Sequence, residues 1–239
     1  MKYLDKTYPT PEENLACDEI FAKLCSENDG FECLRVWNPQ QYFVVLGYGN
    51  KVEEEVFVEQ CKSLNIPIFR RISGGGTVLQ GPGCLNYTLV LRIGGNKHLA
   101  TIPDTNRYVM NKNRNALARI FGEKVKVSGI TDLTIDGKKF SGNSQRRFND
   151  YVLYHGTFLI DFDLSMVEKL LKIPIRQPCY RQNRSHRDFL MNIHTPAQNI
   201  KEVLQTEWIA TETLPEVNPV LLSKLIETKY SKNEWNLRY

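Results

Sequence analysis

The chain has 239 residues, of which 41% are hydrophobic and 24% are charged, an ordinary composition for a globular protein with a substantial core. The net charge is only +4 and the basic residues are scattered, so the sequence gives little support to nucleic-acid binding. Because it shows no signal peptide, no membrane-spanning apolar run and no C-x-x-C pair among its six cysteines, we predict a cytoplasmic protein with free thiols rather than disulfides or zinc.

Helices and strands alternate in the first half of the chain. Thr10-Pro11-Glu12-Glu13 is a capping box with proline at the first helical position, and it predicts that a helix begins there. A further strand is expected where β-forming residues are frequent, over 85–93. The segments predicted between these two are strands over 34–37 and 42–47, a helix over 52–64 and a strand over 66–69.

The second half of the chain predicts a long helix and an antiparallel meander. The helix covers 108–121, and Gly122 is predicted to be its C-cap because glycine is the preferred residue there. Asp136-Gly137 is a strong signal for a two-residue hairpin within the meander. From Pro196 the chain is predicted to be mostly helical, and no segment resembles a domain boundary, so we predict one α/β domain over residues 1–239. The predicted strands of the meander are 124–127, 133–135, 138–140 and 151–160.

The first segment that suggests chemistry is glycine-rich. It reads Arg70-Arg71-Ile72-Ser73-Gly74-Gly75-Gly76-Thr77-Val78. Glycines expose backbone N–H groups to an anionic ligand, and two arginines add planar charged donors that suit phosphate or carboxylate. Neither common phosphate motif fits, because Gly-x4-Gly-Lys-Ser/Thr is absent and Leu79 stands where a dinucleotide fingerprint has its third glycine. A plain glycine-rich turn with two solvated arginines is the alternative interpretation.

The second such segment is the predicted hairpin, which carries two adjacent lysines. In an alternating strand Lys138 and Lys139 point to opposite faces, and a lysine that faces inward is costly unless an anion meets it. Ser141 is expected to share the face of Lys139, and Gly142 follows it, so small residues leave room for a ligand there. We therefore predict that Lys139 faces inward, with two solvated surface lysines as the alternative.

The third such segment is Tyr154-His155-Gly156-Thr157, at the end of the meander. A lone histidine in a strand is commonly a hydrogen-bonded structural residue, but beside a glycine His155 could approach a substrate closely. His155 lacks the spacing of a metal site, and no serine lies in a nucleophile-elbow motif. Metal-ligand catalysis and serine hydrolysis are therefore poorly supported.

Together, and in this order, the three segments resemble the lipoate–protein ligase A family, which is part of the biotin/lipoate A/B protein ligase superfamily. The motifs are Arg-Arg-x-Ser-Gly-Gly-Gly-Thr-Val with Leu-Asn-Tyr, then Gly-Lys-Lys-x-Ser-Gly, then His-Gly-Thr. The flanks agree at 13–19 and at Trp37-Asn38-Pro39. The resemblance covers roughly residues 10 to 230, and it implies a catalytic domain with a mixed, largely antiparallel sheet flanked by helices.

The resemblance also implies an activity. Such ligases activate the carboxylate of lipoate (or octanoate) with ATP to give an acyl-adenylate, and then pass the acyl group to a lysine of a lipoyl carrier domain. The carrier types are the E2 subunits of 2-oxoacid dehydrogenases and the H protein of glycine cleavage. In this sequence Lys139 matches the family's essential lysine, whose charge would stabilise the carboxylate and α-phosphate as they join. Mg²⁺ is expected to screen the ATP phosphates.

Further residues match binding positions of the family. For the acyl group these are Arg71, Ser73, Gly74, Gly75, His155 and Gly156, with His155 in the wall of the acyl tunnel. For the nucleotide they are Gly76, Thr77, Val78, Asn86 and Asp132, with Thr77 and Val78 as backbone contacts to adenine.

Two features depart from the family pattern. Gln80-Gly81-Pro82-Gly83 stands where many members have an aromatic residue or histidine followed by an acidic residue, and this turn looks more like the octanoyltransferase relatives. The sequence also stops near Trp235, where full-length ligases continue into a C-terminal accessory domain. This difference suggests a separate partner polypeptide, or restriction to the transfer half-reaction.

The alternative function is therefore an octanoyl or lipoyl transferase that acts from acyl-carrier protein or from preformed lipoyl-AMP. The thioester version needs a cysteine nucleophile, and Cys179 is the candidate, with Arg176, Arg181 and Arg184 nearby to lower its pKa. A small structural thiol is the competing interpretation of Cys179. Another kind of transferase carries a cysteine shortly before the lysine hairpin, but 127–132 has none. A non-catalytic lipoyl- or biotinyl-binding protein is a third class, which would not need Lys139.

Overall fold

A computed structural model of the chain describes residues 1–27 and 30–239. Within these residues the strands form a larger and a smaller sheet. The strands are β1 (Lys2–Asp5), β2 (Cys33–Trp37), β3 (Phe43–Leu46), β4 (Ile68–Arg70), β5 (Val78–Gln80), β6 (Cys84–Arg92), β7 (Lys126–Ser128), β8 (Asp132–Ile135), β9 (Lys138–Arg147), β10 (Tyr151–Leu159) and β11 (Glu212–Thr213).

The larger sheet has the strand order β11-β1-β2-β6-β10-β9-β8-β7. In it β1 runs parallel to β2 and β11, and the other neighbours are antiparallel. The smaller sheet has the order β4-β3-β5, in which β3 is parallel to β4 and antiparallel to β5. The predicted mixed, largely antiparallel sheet is therefore confirmed.

Helices cover both faces of the larger sheet. They are α1 (Pro11–Glu27), α2 (Val52–Glu55), α3 (Val58–Ser63), α4 (Ile102–Phe121), α5 (Leu164–Leu170), α6 (His186–Phe189), α7 (Ala197–Glu207), α8 (Pro219–Leu225), a π-helical turn (Ile226–Tyr230) and α9 (Asn233–Asn236). No helix among the described residues is long and apolar enough to cross a membrane.

The predicted helix and hairpin signals are confirmed. Thr10 and Glu13 bond each other's backbone N–H groups in a capping box, and α1 begins at the following residue. Asp136 and Gly137 both have positive φ, at 50° and 72°, which is the geometry of a two-residue hairpin turn. Gly122 ends α4 with a φ of 66°.

Several predicted bounds differ from the structure. The helix predicted over 108–121 begins earlier, at Ile102. The helix predicted over 52–64 is divided into α2 and α3, because Val56 is extended and forms a β-bridge with Leu171. The strand predicted to end at Phe140 continues to Arg147, since β9 pairs with β10 along its length. Its polar, glycine-containing second half has weak strand propensity, and the pairing overrides it. The mostly helical tail also contains the short strand β11.

Alternation along β10 positions the functional region. Val152, Tyr154 and Phe158 face one core cluster, which includes α4 and α7. Tyr151 and Leu153 face a second cluster beneath α1. Because side chains alternate in a strand, the later residues on that second face leave the core and line a cavity between the two sheets, as described below.

Gly83, in the Gly-Pro-Gly turn, lies at a position that only glycine fits. Its φ is 90°, and a Cβ there would overlap the backbone of Asp161. We expect Gly83→Ala to lower the free energy of unfolding by about 2 kcal/mol or more, because strain and overlap add. Gly95 has a similar φ of 78° with open space around it, so Gly95→Ala should cost only about 1 kcal/mol. Urea unfolding of both variants checks this, and equal losses would contradict it.

Candidate active site

A cavity of about 940 Å³ lies between the two sheets. The smaller sheet supplies Val45 and β5, and the larger sheet supplies polar side chains of β6, β9 and β10. The segment 171–181 forms a further wall. All three segments that suggested chemistry in the sequence therefore meet at one place.

Lys139 lies on the wall of this cavity. Its Nζ is 2.8 Å from Asp132 Oδ1, and a quarter of its side chain is exposed. The Tyr180 hydroxyl donates to the other carboxylate oxygen of Asp132 at 2.7 Å. Lys138, in contrast, is exposed to solvent. The prediction that Lys139 faces inward and Lys138 outward is confirmed, and the pair of surface lysines is not observed.

A β-bulge decides which residue lies beside Lys139. Asp132 is opposite Gly142, Leu133 is opposite Ser141, and after a register shift Thr134 is opposite Lys139. Residues that oppose each other share a face, so Ser141 lies on the buried face of Leu133. The expectation that Ser141 shares the face of Lys139 is therefore wrong. Gly142 takes that place, and a Cβ there would lie 2.7 Å from Lys139 Nζ.

Both arginines that precede the glycines are buried, and neither is solvated. Arg70 Nη1 donates to the carbonyl oxygens of Gly47 at 2.8 Å and Asn50 at 2.7 Å. Its backbone is held by α9, since Arg70 N donates to Asn236 Oδ1 and Arg70 O accepts from Trp235 Nε1. The expectation that Arg70 is a donor for an anion bound in the cavity is wrong, because Arg70 is buried away from the cavity lining and its Nε and Nη1 donate to backbone carbonyls.

Arg71 shapes the glycine loop, which we define as residues 72–77. Its Nη2 donates to the carbonyl oxygens of Gly74 at 2.6 Å and Gly76 at 2.8 Å, and its Nη1 donates to that of Val45. Burial lowers the pKa of Arg71 to about 10, so the group is still charged at neutral pH. Its donors are largely committed to carbonyls, and its charge contributes a positive field in the cavity wall rather than a free fork for phosphate.

The glycine loop also rests on a neighbouring glycine. Gly75 has a φ of 84°, which favours glycine. A Cβ at Gly47 would overlap the carbonyl oxygen of Gly75. Position 47, in the turn after β3, must therefore also be glycine. In the sequence Gly47 is only the last residue of a predicted strand, because no local pattern indicates this long-range contact.

His155 lines the cavity, but Ser73 lies behind the wall. The Ser73 side chain is buried, and its Oγ is 2.6 Å from His155 Nε2. On the other side of the ring, His155 Nδ1 is 3.8 Å from Asp18 Oδ2. This order resembles a Ser–His–Asp triad, but Ser73 Oγ also accepts a hydrogen bond from Arg71 Nε at 3.0 Å, and it is closed to a substrate. Gly74 likewise lies outside the lining of the cavity.

A side chain at position 156 would point into the core. A Cβ there would overlap Asn143 Oδ1 and approach the Tyr87 ring, so only the backbone of Gly156 borders the cavity. Gly156 and His155 both line the cavity, and the assignment of Gly156 to the acyl group stays a prediction. Because Gly156 has no side chain, the Asn143 side chain fits beside it, and Asn143 Oδ1 accepts from the Tyr87 hydroxyl at 2.6 Å.

The predicted nucleotide residues Gly76, Thr77, Val78, Asn86 and Asp132 all line the cavity. Thr77 N donates to Glu55 Oε2 at 3.4 Å. Asn86 belongs to a closed hydrogen-bonded ring in which its Nδ2 donates to Gln80 Oε1, Gln80 Nε2 donates to Thr157 Oγ1, and Thr157 Oγ1 donates to Asn86 Oδ1.

Cys179 is an exposed free thiol on the cavity wall. The other five cysteines are buried. Of the three arginines near it in the sequence, Arg181 is buried and donates to Arg184 O, and Arg184 donates to the carbonyls of Gly137 and Tyr180. Arg176 is exposed to solvent.

Several cavity residues with functional groups were not selected from the sequence. Asp18 and Trp37 lie within quoted flanking motifs, Tyr180 is next to Cys179, and Glu55 is at the end of α2. Only the first two carried a signal in the sequence. No cluster of three or more His, Cys, Asp or Glu residues with metal-binding geometry occurs in the part of the chain that the structure describes.

The chain is similar to known proteins in both sequence and structure. The lipoyl protein ligase A/B catalytic domain matches residues 10–224. The octanoyltransferase LipM of Carboxydothermus hydrogenoformans is 26% identical over 268 aligned residues, covering 100% of this chain and 98% of that protein. A probable lipoate-protein ligase A of Mycoplasma pneumoniae is also 26% identical, covering 95% of this chain and 68% of that protein.

Two solved structures show the same fold. One is the bipartite lipoate protein ligase of Thermoplasma acidophilum, described with its E2 lipoyl domain, at a TM-score of 0.84, 24% identity and coverage of 99% and 95%. The other is a lipoate-protein ligase A bound with ATP, at a TM-score of 0.82, 24% identity and coverage of 99% and 98%. The family match spans most of the sequence, and the chain therefore belongs to the family of lipoyl protein ligase A/B catalytic domains, enzymes of lipoyl and octanoyl transfer.

Proposed function

We propose that the protein is a lipoate–protein ligase, which uses ATP to convert lipoate or octanoate to acyl-AMP and transfers the acyl group to a lysine of a carrier domain. The observation that carries this proposal is the position of Lys139. Its ammonium stands on the wall of a mainly apolar cavity, paired with Asp132, beside a loop whose glycines border the same space. An apolar chain with an anionic head matches this combination of walls.

The chemistry follows from these groups. In the first step a carboxylate oxygen of the acid attacks the α-phosphorus of ATP, and the bond to the pyrophosphate oxygen breaks. Both reactants are anions, so a fixed ammonium lowers the repulsion as they approach and stabilises the charge of the transition state. Lys139 supplies it by leaving Asp132, whose carboxylate keeps the Tyr180 hydroxyl as a partner.

In the second step the neutral amine of a carrier lysine attacks the acyl carbon, and AMP leaves. The buried charge of Arg71 supports both steps electrostatically, because it lies in the wall and is not screened by water. Mg²⁺, bound with the ATP phosphates, would screen their charge. Asp132 and Glu55 are carboxylates of the cavity wall that suit a hard cation held chiefly by phosphate oxygens.

The acyl chain is assigned to the apolar part of the cavity. Leu15, Trp37, Val45 and Val78 line it near His155, and they bury methylenes favourably. The proposed acceptor is a lipoyl domain of the E2 or H-protein type, in line with the E2 lipoyl domain described with the Thermoplasma ligase. We further propose that residues 1–239 act as one catalytic domain in the cytoplasm. A separate accessory polypeptide is a candidate partner, by analogy with the bipartite ligase of Thermoplasma acidophilum.

The decisive experiment is lipoate-dependent exchange of labelled pyrophosphate into ATP by the purified chain. Exchange that requires lipoate or octanoate, and that is absent with biotin, supports the ligase. Activity on preformed lipoyl-AMP without exchange would replace the ligase with a transferase of the second half-reaction. If the chain binds lipoate without either reaction, it belongs to the non-catalytic class.

Cys179 supports a second candidate function. In this function the protein is an octanoyltransferase that acts through a thioester. The observation that favours it is an exposed thiol on the cavity wall, together with the similarity to an octanoyltransferase. In that reaction the Cys179 thiolate attacks the acyl thioester of an acyl-carrier protein, and the carrier thiol leaves.

We expect Cys179→Ser to retain most transfer of lipoyl-AMP to a carrier domain, within about threefold, since no covalent enzyme intermediate is needed. Intact mass spectrometry of the wild-type chain after incubation with octanoyl-carrier protein is the complementary measurement. A stable adduct on Cys179, formed without ATP and absent from Cys179→Ser, would establish the transferase instead.

A further inference from the structure

We infer that Asp18 is a positioning residue of the active site, which acts through His155 and Ser73 on Arg71 and so sets the shape of the glycine loop. We call these four residues the relay. The inference deepens the proposed function and rests on it for the identity of the ligand, but the relay itself is tested without any ligand.

The relay begins at a buried ion pair. Asp18 Oδ1 accepts from Arg35 Nη1 at 2.6 Å, and Asp18 Oδ2 accepts from the Thr88 hydroxyl at 2.8 Å. Burial alone would raise the pKa of Asp18, but the charge of Arg35 and the contacts with His155 and Thr88 hold it below its ordinary value. Asp18 is therefore a carboxylate at neutral pH, and its second oxygen faces His155 Nδ1.

The hydrogen bonds of Ser73 favour one tautomer of His155. Arg71 Nε is a permanent donor, and Ser73 Oγ accepts from it at 3.0 Å. The hydroxyl proton of Ser73 is then available to its other neighbour, His155 Nε2, which lies 2.6 Å away. The tautomer that fits this arrangement has its proton on Nδ1, toward Asp18, so that Nε2 accepts from the serine.

The same serine orients the arginine. With Nε held by Ser73, the plane of the Arg71 guanidinium is fixed, and its Nη2 reaches the carbonyls of Gly74 and Gly76. In a trans peptide the N–H points opposite to the carbonyl, so the N–H groups of Gly75 and Thr77 point away from Arg71. Both residues line the cavity.

These N–H groups are suited to an anion. Gly75 N–H has no hydrogen-bond partner within residues 1–27 and 30–239, and Thr77 N–H has a long contact of 3.4 Å to Glu55. Successive N–H groups that converge on one space bind phosphate or carboxylate oxygens. The relay thus connects a carboxylate on α1 to the donors that face the acyl-adenylate.

The first experiment is ligand-free. Long-range ¹H–¹⁵N NMR correlations report the protonated nitrogen of each of the four histidines, and the spectrum of His155→Gln assigns His155. We expect the ring proton on Nδ1 in the wild type, and a shift of that proton toward Nε2 in Asp18→Asn. A wild-type ring with Nε2 protonated at neutral pH would overturn the relay.

The second experiment measures binding of a non-hydrolysable lipoyl-AMP analogue by calorimetry. We expect Ser73→Ala, which spares the Arg35 ion pair, to bind about tenfold more weakly or worse, because one charge-assisted bond to the loop is lost. Glu19→Gln is the matched control. Glu19 is the next residue on α1 and a buried carboxylate, but it bonds Lys23, Lys229 and Tyr230.

The control separates positioning from folding. Asp18→Asn and Glu19→Gln should both lower the melting temperature, and only Asp18→Asn should also weaken analogue binding and change the His155 ring. Equal affinity of Ser73→Ala and wild type would overturn the inference. If the wild type binds no lipoyl-AMP analogue, the proposed function fails, and the NMR result still decides whether the relay exists.

Discussion

Replacing Lys139 by alanine is expected to lower the rate of acyl-adenylate formation by at least about 100-fold, because the reaction loses the cation that stabilises two joining anions. The fold should survive, since the side chain lies on a cavity wall and is partly exposed. Asp132 keeps its bond from Tyr180, so no carboxylate is left without a partner. Pyrophosphate exchange and the intact mass of a carrier domain measure the two steps, and circular dichroism monitors the fold.

Lys138→Ala is the matched control for this experiment. Lys138 has the same side chain, one position away, but it is exposed to solvent. Its removal should change the rate by less than about threefold. Comparable losses in the two variants would show that the reaction depends on general charge near the hairpin, and the role assigned to Lys139 would be wrong.

The second large effect is expected from Gly75→Val, which should abolish measurable binding of a lipoyl-AMP analogue. The φ of 84° at this position disfavours any β-branched residue, and strain of this kind costs about 1–3 kcal/mol. The new Cβ would also lie 3.1 Å from Arg71 Nη2 and 3.3 Å from Ser144 Oγ. The loop must therefore move, and its N–H groups move with it.

Gly49→Val is the control for Gly75→Val. Gly49 lies in the neighbouring turn, with no atom within 4 Å of a built Cβ and no positive φ. We expect its affinity for the analogue to stay within about threefold of wild type. If Gly75→Val also binds normally, the glycines serve only the turn and the loop does not contact the ligand.

Local signals in the sequence predicted much of this fold. The capping box of α1 and the Asp136-Gly137 turn depend on neighbours within four residues, and both are present. The opposite facing of Lys138 and Lys139 follows from strand alternation alone. The resemblance to a family then assembled three separate segments into one site, and the structure brings all three to the same cavity.

The features that sequence reasoning missed depend on long-range contacts. The bulge before Ser141 is a property of how β8 and β9 pair, and it exchanges Ser141 for Gly142 beside the lysine. In the sequence Arg70 and Arg71 cannot be distinguished from arginines that bind anions. In the structure their partners include backbone carbonyls of residues that only folding brings near them. The need for glycine at Gly156 is likewise set by Asn143 of the neighbouring strand, which fills the space where a side chain would lie.

The bracing of Arg70 by α9 has a consequence for how the protein is made. Trp235 and Asn236 bond the backbone of Arg70 from 165 and 166 positions later in the chain. Contacts of such sequence separation form late, because the intervening chain must first be ordered. A ribosome-bound nascent chain can therefore assemble the β6, β9 and β10 region of the sheet before the base of the glycine loop is secured. The active site should mature only after residue 236 has left the ribosome, which keeps incompletely synthesised chains from acting on the substrate.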